Sequence, residues 1–214
     1  MLEINNYTKK YNQHLILTFD KLDLGEGIHQ LKGINGSGKS TLIHSIAGII
    51  PFEGEVILNK KINQKSQPIE FRKLVNYSDA EPKYPTYLSG DEVIKFISKC
   101  KSGTKNQVAS LYEYFEVNDY IRNPISTYSS GMLKKTNLIQ AFLGNPELIL
   151  LDEPLTTIDK KSSQKLIDLI IEFATQKKTN FIIATHQELC DEQLKTVSTI
   201  EVSEQTISIK KNVF

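Results

Sequence analysis

One stretch constrains this chain more than any other: Gly33-Ile34-Asn35-Gly36-Ser37-Gly38-Lys39-Ser40. It fits the pattern G-x-x-x-x-G-K-[ST]. Gly33, Gly36 and Gly38 let the backbone bend so that successive N–H groups point at phosphate oxygens. Lys39 has the reach for β- and γ-phosphates, and the Ser40 hydroxyl suits Mg2+. The expected phosphate-contacting set is Asn35, Gly36, Ser37, Gly38, Lys39, Ser40 and Thr41. Ile28–Lys32 reads as a strand entering the loop, and Thr41–Gly48 as a helix leaving it. The N-terminus of that helix would add partial positive charge to an anion site. A bare Gly/Ser-rich surface turn would need neither the Lys-Ser pair nor the strand–loop–helix setting.

Around this loop, strand and helix signals alternate. Leu2–Tyr7 and His14–Phe19 read as strands, and Gly25-Glu26-Gly27 as a turn. Glu55–Leu58 and Leu74–Tyr77 are further short strand candidates. Pro82, Pro85 and Gly90 interrupt regular structure, and Ser89-Gly90-Asp91-Glu92 has capping-box spacing. Val93, Phe96, Ile97 and Cys100 then recur at helical spacing, and Val108–Phe115 reads as a second helix. Residues from about 80 to 130 are therefore expected to form a mostly helical insertion. Ser130–Leu143 predicts a helix stopped by Gly144-Asn145-Pro146. Leu148–Leu151 and Asn180–Ala184 are apolar runs of the buried parallel type. Between them, Lys161–Ala174 carries an apolar stripe at Leu166, Leu169, Ile170 and Phe173. Thr196–Val202 and Gln205–Ile209 alternate like a hairpin. The expected fold is α/β: one domain over 1–214 with a phosphate-loop core, a mostly parallel sheet, an antiparallel β layer from the β-rich ends and a small helical subdomain.

Composition excludes several classes. The 214 residues are 39% hydrophobic and 24% charged, enough to bury a core as an ordinary globular chain. A formal net charge of +1 gives no electrostatic footprint for nucleic acid, so none is expected as partner. Cys100 and Cys190 match no metal or redox spacing and read as free thiols of a reducing compartment. Met1-Leu2-Glu3-Ile4 has no signal-peptide pattern, and no apolar run approaches a bilayer-spanning length. The chain is thus expected to be soluble, reaching a membrane only through a partner.

The second chemical signal is Asp152-Glu153 at the end of the Leu148–Leu151 run. In an open α/β sheet, ligands bind at the carboxyl ends of the strands. Asp152 is then placed to reach Mg2+, directly or through water, and Glu153 to polarise an attacking water as general base. Four apolar residues followed by two acids form a weak signal alone; beside a phosphate loop it becomes a strong one.

The motifs in this order resemble the nucleotide-binding subunits of ABC transporters along nearly the whole chain. Gly33–Ser40 resembles the family's Walker A loop. Tyr128-Ser129-Ser130-Gly131-Met132 stands where the family carries its signature, usually Leu-Ser-Gly-Gly-Gln. Asp152-Glu153-Pro154 resembles the end of Walker B, and Leu155-Thr156-Thr157-Ile158-Asp159 the D-loop. Thr185-His186 is similar to the switch histidine, which would contact the γ-phosphate or orient the water held by Glu153. Tyr11 matches the aromatic that stacks on adenine, with Tyr7 as its rival; His14, His29 and His44 receive no role.

The resemblance implies ATP and Mg2+, with Ser40 and Asp152 on the metal and Glu153 and His186 in catalysis. It also implies two subunits packed head to tail. Ser129 and Gly131 of one would close over the nucleotide of the other, with Asp159 nearby. A transmembrane permease is the implied partner. The chain would then sit on the cytoplasmic face of the cell membrane. A soluble ABC ATPase, or a clamp on another macromolecule, is the alternative.

Two departures from the family stand out. Ser130 and Met132 replace the first glycine and the glutamine of the signature, which implies slowed hydrolysis and leans weakly toward ABC-2-type exporters. At the glutamine of the Q-loop, alignment of Asn76–Pro82 places Ala80, with Asp79 or Glu81 as possible substitutes. Tyr84, Tyr87 and Leu88 form the expected docking patch for the permease.

Overall fold

Strand periodicity decides where the core lies. In the computed structural model, which describes residues 1–186 and 194–212, ten strands fall into two sheets. β1 (Leu2–Tyr11), β2 (His14–Leu24), β4 (Glu53–Leu58) and β5 (Ile62–Asn63) make an antiparallel sheet of order β2-β1-β4-β5. The larger sheet has order β10-β9-β3-β8-β7-β6. It comprises β3 (Ile28–Lys32), β6 (Val75–Ser78), β7 (Leu148–Asp152), β8 (Asn180–Ala184), β9 (Thr196–Ser203) and β10 (Thr206–Lys211). β3, β6, β7, β8 and β9 run parallel, and β10 is antiparallel to β9.

β7 is buried along its whole length, so alternate residues feed opposite cores. Ile149 and Leu151 pack with Phe181, Leu138, Phe142, Leu166 and Phe173. Leu148 and Leu150 pack on the other face with Leu31, Leu42, Ile43, Tyr7 and Phe71. The first core is closed by α5 (Ser130–Ala141) and α6 (Lys160–Gln176), the second by α1 (Lys39–Ile46) and the antiparallel sheet. α2 (Pro68–Leu74) starts at a proline, whose missing N–H costs nothing in a first helical turn. Neither α2 nor β5 carries a clear periodicity, and sequence reading missed both.

The chain between β6 and α5 holds α3 (Gly90–Cys100), α4 (Lys105–Tyr114) and a single 3-10 turn at Ile125–Thr127. The Ser89 capping box forms as expected: its hydroxyl accepts from the Glu92 amide and Glu92 answers to the Ser89 amide. Thr104 caps α4 more simply, its hydroxyl accepting from the Gln107 amide. Gly144 stops the chain after α5 with φ 72°. Two expectations change. The C-terminal hairpin does not join the antiparallel layer; β9 pairs parallel to β3 and so widens the main sheet. The patch of Tyr84, Tyr87 and Leu88 splits. Tyr87 is 80% exposed, whereas Tyr84 turns inward and donates to Gln140 Oε1 at 2.9 Å. Cys100 is an exposed free thiol; Cys190 lies outside the described residues.

Candidate functional site

Because β3, β6, β7 and β8 are parallel, the segments that follow them emerge along one edge of the sheet. The edge carries the Gly33–Gly38 loop, Asp79, Asp152-Glu153 and Thr185-His186 in one row.

The loop adopts the bend that its glycines predict. Gly36 has φ 80° and Gly38 φ 107°, backbone regions that side chains resist. Gly38 is the N-cap of α1 and leaves the first-turn amides of that helix without a side-chain cap. Lys39 is almost buried, and its ammonium donates to the carbonyls of Gly33 at 2.7 Å and Ile34 at 3.0 Å. This places the charge against the loop itself. A cavity of about 770 Å3 opens beside the loop, lined by Gly33 to Ser37, by Ile16, by His186 and by the β9–β10 turn.

Asp152 is the electrostatic centre of the row. It ends β7, is 0% exposed, and neither carboxylate oxygen makes a well-directed hydrogen bond among the described residues. Burial therefore holds its carboxyl above the ordinary carboxylate value, with the Ser40 hydroxyl and His44 pulling the other way. A desolvated carboxylate with open lone pairs beside a hydroxyl suits a divalent cation bound through oxygen. The residues present thus fit Mg2+.

Glu153 follows with φ 44°, a strained value for a non-glycine residue. Its amide donates to Ala184 O at 2.8 Å, which pins the turn to the end of β8. The carboxylate meets His186 twice. The His186 amide donates to Oε1 at 3.1 Å, and Nδ1 lies 2.9 Å from Oε2 without the alignment of a directed hydrogen bond. Glu153 and His186 are therefore neighbours in space, as their expected shared role requires.

The tyrosines separate cleanly. Tyr7 is 0% exposed, stacked on Phe19 at 4.9 Å and Phe52 at 5.2 Å, with its hydroxyl on Ser45. Tyr7 is a core residue. Tyr11 is 47% exposed, lies under the Lys9 ammonium at 4.6 Å, and does not line the cavity beside the loop.

The signature stretch stands apart from that cavity, whose lining includes neither Ser129 nor Gly131. Ser129 caps α5 by accepting from the Met132 amide at 3.2 Å, and the Met132 sulfur sits over the Ser129 amide. Gly131 lies against the Thr157 carbonyl, so close that an added Cβ would approach it to 2.9 Å. Asp159 caps α6 through Ser162 and lies 3.8 Å from Lys135; the Ser162 amide holds its carboxyl down to about 2. The carboxylate contacts recorded for Asp159 are thus local to its own turn and to α5.

Sequence reasoning missed two groups. Lys134 is 1% exposed, and its ammonium donates to Asp79 O at 2.8 Å, Ala80 O at 3.4 Å and Asp152 O at 3.1 Å. Burial pushes it down to about 8. The adjacent Lys134-Lys135 pair carries no local signal that separates the buried lysine from its neighbour. The other group is His44, which had been given no role. It lies 3.7 Å from Asp79, its Nε2 shares a hydrogen bond with the Tyr77 hydroxyl, and the Asp79 carboxylate pulls its imidazole above the ordinary value. Its position one turn after Ser40 was the available signal.

Together, a phosphate loop, a buried metal-seeking carboxylate and a glutamate–histidine pair on one sheet edge define a nucleotide-binding protein of the phosphate-loop class. Comparison with known proteins narrows the class. A family model described as ABC transporter matches residues 21–156, and the chain belongs to that family. It is 29% identical to an uncharacterized ABC transporter ATP-binding protein, YybJ of Bacillus subtilis, over 97% of this chain and 98% of that protein. It is 32% identical to the teichoic acids export ATP-binding protein TagH of Staphylococcus saprophyticus, over 80% of this chain but 62% of TagH. Among solved structures, a dimeric ATP-binding cassette in a post-hydrolysis state bound to ADP and Pi is similar, with a TM-score of 0.84. It is 19% identical and each chain is covered by 100%. The ABC ATP-binding fold and an ATP-binding role within an ABC transporter follow from family membership. Among the described residues, no helix is long and apolar enough to cross a membrane.

Proposed function

We propose that this chain hydrolyses ATP and couples that hydrolysis to a separate transmembrane permease through ATP-driven pairing with a second ATPase subunit. The observation that carries the reading is Asp152: a fully buried carboxylate with open oxygens, facing Ser40 at the root of the phosphate loop. Ser40 and Asp152 would hold Mg2+, which when bound neutralises charge on the β- and γ-phosphate oxygens. Asn35 to Thr41 present backbone amides to the phosphates, and Lys39 exchanges its carbonyl partners for phosphate oxygens. Glu153 takes the proton of the attacking water, and His186, already against its carboxylate, orients that water or the γ-phosphate. Tyr11 offers an exposed ring for stacking on a purine. Ser129 and Gly131, at the N-terminus of α5 and away from the chain's own loop, face the γ-phosphate of a partner copy, with Asp159 beside them. The site on one chain is thereby incomplete, and ATP acts as the adhesive between two.

Glu153→Gln is the direct test. Loss of turnover by at least about a hundredfold, with ATP-dependent dimers in size-exclusion chromatography, is expected. Turnover near that of the wild type removes the base assignment. Exposed Tyr87 is the remaining anchor of the proposed permease surface, which would hold the chain on the inner face of the membrane. Tyr87→Asp should abolish co-purification with the permease without changing basal turnover; unchanged co-purification removes that surface.

A further inference from the structure

His44, which sequence reading left without a role, and Asp79, offered there only as a substitute for the Q-loop glutamine, lie next to the buried carboxylate of Asp152. His44, Asp79 and Asp152 each offer one ligand atom, and all three atoms lie within 4.8 Å of one another. Their convergence follows from the fold. Ser40 and His44 are one turn apart on α1 and share a face. Ser78 pairs with Leu151 between the adjacent parallel strands β6 and β7, so the next residues, Asp79 and Asp152, emerge side by side. The turn carrying Asp79 is fixed from below. Lys134 holds the Asp79 carbonyl at 2.8 Å and Asn137 Oδ1 accepts from the Asp79 amide at 3.0 Å. Asp152 is fully buried, and among the described residues neither of its oxygens has a directed hydrogen bond.

A plain charge cluster would not leave the buried carboxylate unsatisfied while an imidazole stands this close. We propose that His44 and Asp79 join Asp152 in a mixed nitrogen–oxygen site for a first-row divalent ion such as Mn2+. The inference rests on the reading of Asp152 as a metal-holding residue and extends it to two further ligands. Imidazole with carboxylates suits borderline transition ions, whereas Mg2+ prefers an all-oxygen octahedron with retained waters. The chain should therefore bind Mn2+ more tightly than a site of Ser40 and Asp152 alone. The Tyr77 hydroxyl meets His44 Nε2 at 2.5 Å, and an ion on that nitrogen must displace it.

The test is Mn2+ binding to the full chain, followed by electron paramagnetic resonance without nucleotide and with a non-hydrolysable ATP analogue. Pulsed measurements read nitrogen coupling to the bound ion. The wild type is expected to bind Mn2+ with a nitrogen signal. His44→Gln should lose that signal and weaken binding by at least about tenfold, and Asp79→Asn should weaken it to a similar extent. Tyr77→Phe, which leaves Nε2 to the ion, should bind at least as tightly as wild type. Absence of Mn2+ binding, equal affinity in His44→Gln and Asp79→Asn, or a nitrogen signal that survives His44→Gln would each overturn the proposal. So would weakened binding in Tyr77→Phe. Binding and hydrolysis of Mg2+-ATP by the wild type are measured separately. If they persist while the Mn2+ result is negative, only this inference falls; if they are absent while His44-dependent Mn2+ binding is present, only the ATPase reading falls.

Discussion

Replacing Lys134 with methionine removes an ammonium that ties two strand ends together. Lys134 reaches across from α5 to the turn after β6 and to the end of β7. Two of its bonds, at 2.8 and 3.1 Å, are well formed, and the third, at 3.4 Å, is long. Hydrogen bonds from a charged donor contribute about 1.5–3 kcal/mol each, and a buried carbonyl left without its donor costs about 1–3 kcal/mol. Against this stands relief of the buried charge, itself several kcal/mol in the absence of good partners. Methionine matches the stem in length and packs in the same channel, so no large cavity opens. Taken together, Lys134→Met should destabilise the chain by about 2–3 kcal/mol, with Lys134→Gln intermediate because its amide can keep one carbonyl. Urea-induced unfolding at neutral pH, read as a shift of the midpoint at constant slope, measures this. A thermal midpoint lowered by roughly 4–12 °C would accompany it, at about 2–4 °C per kcal/mol for a chain of this size. A methionine variant as stable as the wild type would refute the reasoning, because it would mean that the charge costs as much as its three acceptors return.

Two further outcomes follow from burial. Tyr7→Ala should cost about 3–5 kcal/mol as a ring lost from a stacked core, whereas Tyr11→Ala should leave stability nearly unchanged and weaken ATP binding; urea midpoints and nucleotide titration separate the two. Lys101 donates to the carbonyls of Val75 and Arg72, and burial pushes its ammonium from 10.5 down to about 8. Between those values the unfolded chain binds more protons than the folded one, so the contribution of Lys101 to stability rises as pH increases from about 8 to 10.5. The difference in unfolding free energy between wild type and Lys101→Met should grow over that interval, and a flat difference would contradict the assignment.

Much of the site was legible because its chemistry is local. Gly36, Gly38, Lys39 and Ser40 are consecutive or nearly so, and their spacing specifies a conformation that few other residues can adopt. Asp152-Glu153 was legible because β7 is buried on both faces and therefore reads as an unbroken apolar run that ends in acid. Ser89 and Glu92 announced a helix start, since a capping box satisfies amides within four residues of chain. The same locality explains what was lost. Tyr7 and Tyr11 are both aromatics of one strand, and only packing against Phe19 and Phe52 separates the core ring from the exposed one. Likewise Lys134 and Lys135 are neighbours on α5, yet one is 1% exposed and the other faces Asp159.

The sequence by itself determined the alternation of strand and helix, the phosphate loop, the carboxylate pair and the order of motifs that marks the family. Each depends on interactions that span a few residues or on a period that repeats along one element. Only the tertiary structure decided that β9 lies beside β3, that Tyr84 turns inward and that Asp79 emerges beside Asp152. It alone brought His44 to that pair and a buried lysine beneath it. These are consequences of strand register and helix packing between segments far apart in the chain. No local pattern encodes such distances, because the energy that sets them is the burial of both faces of β7 at once.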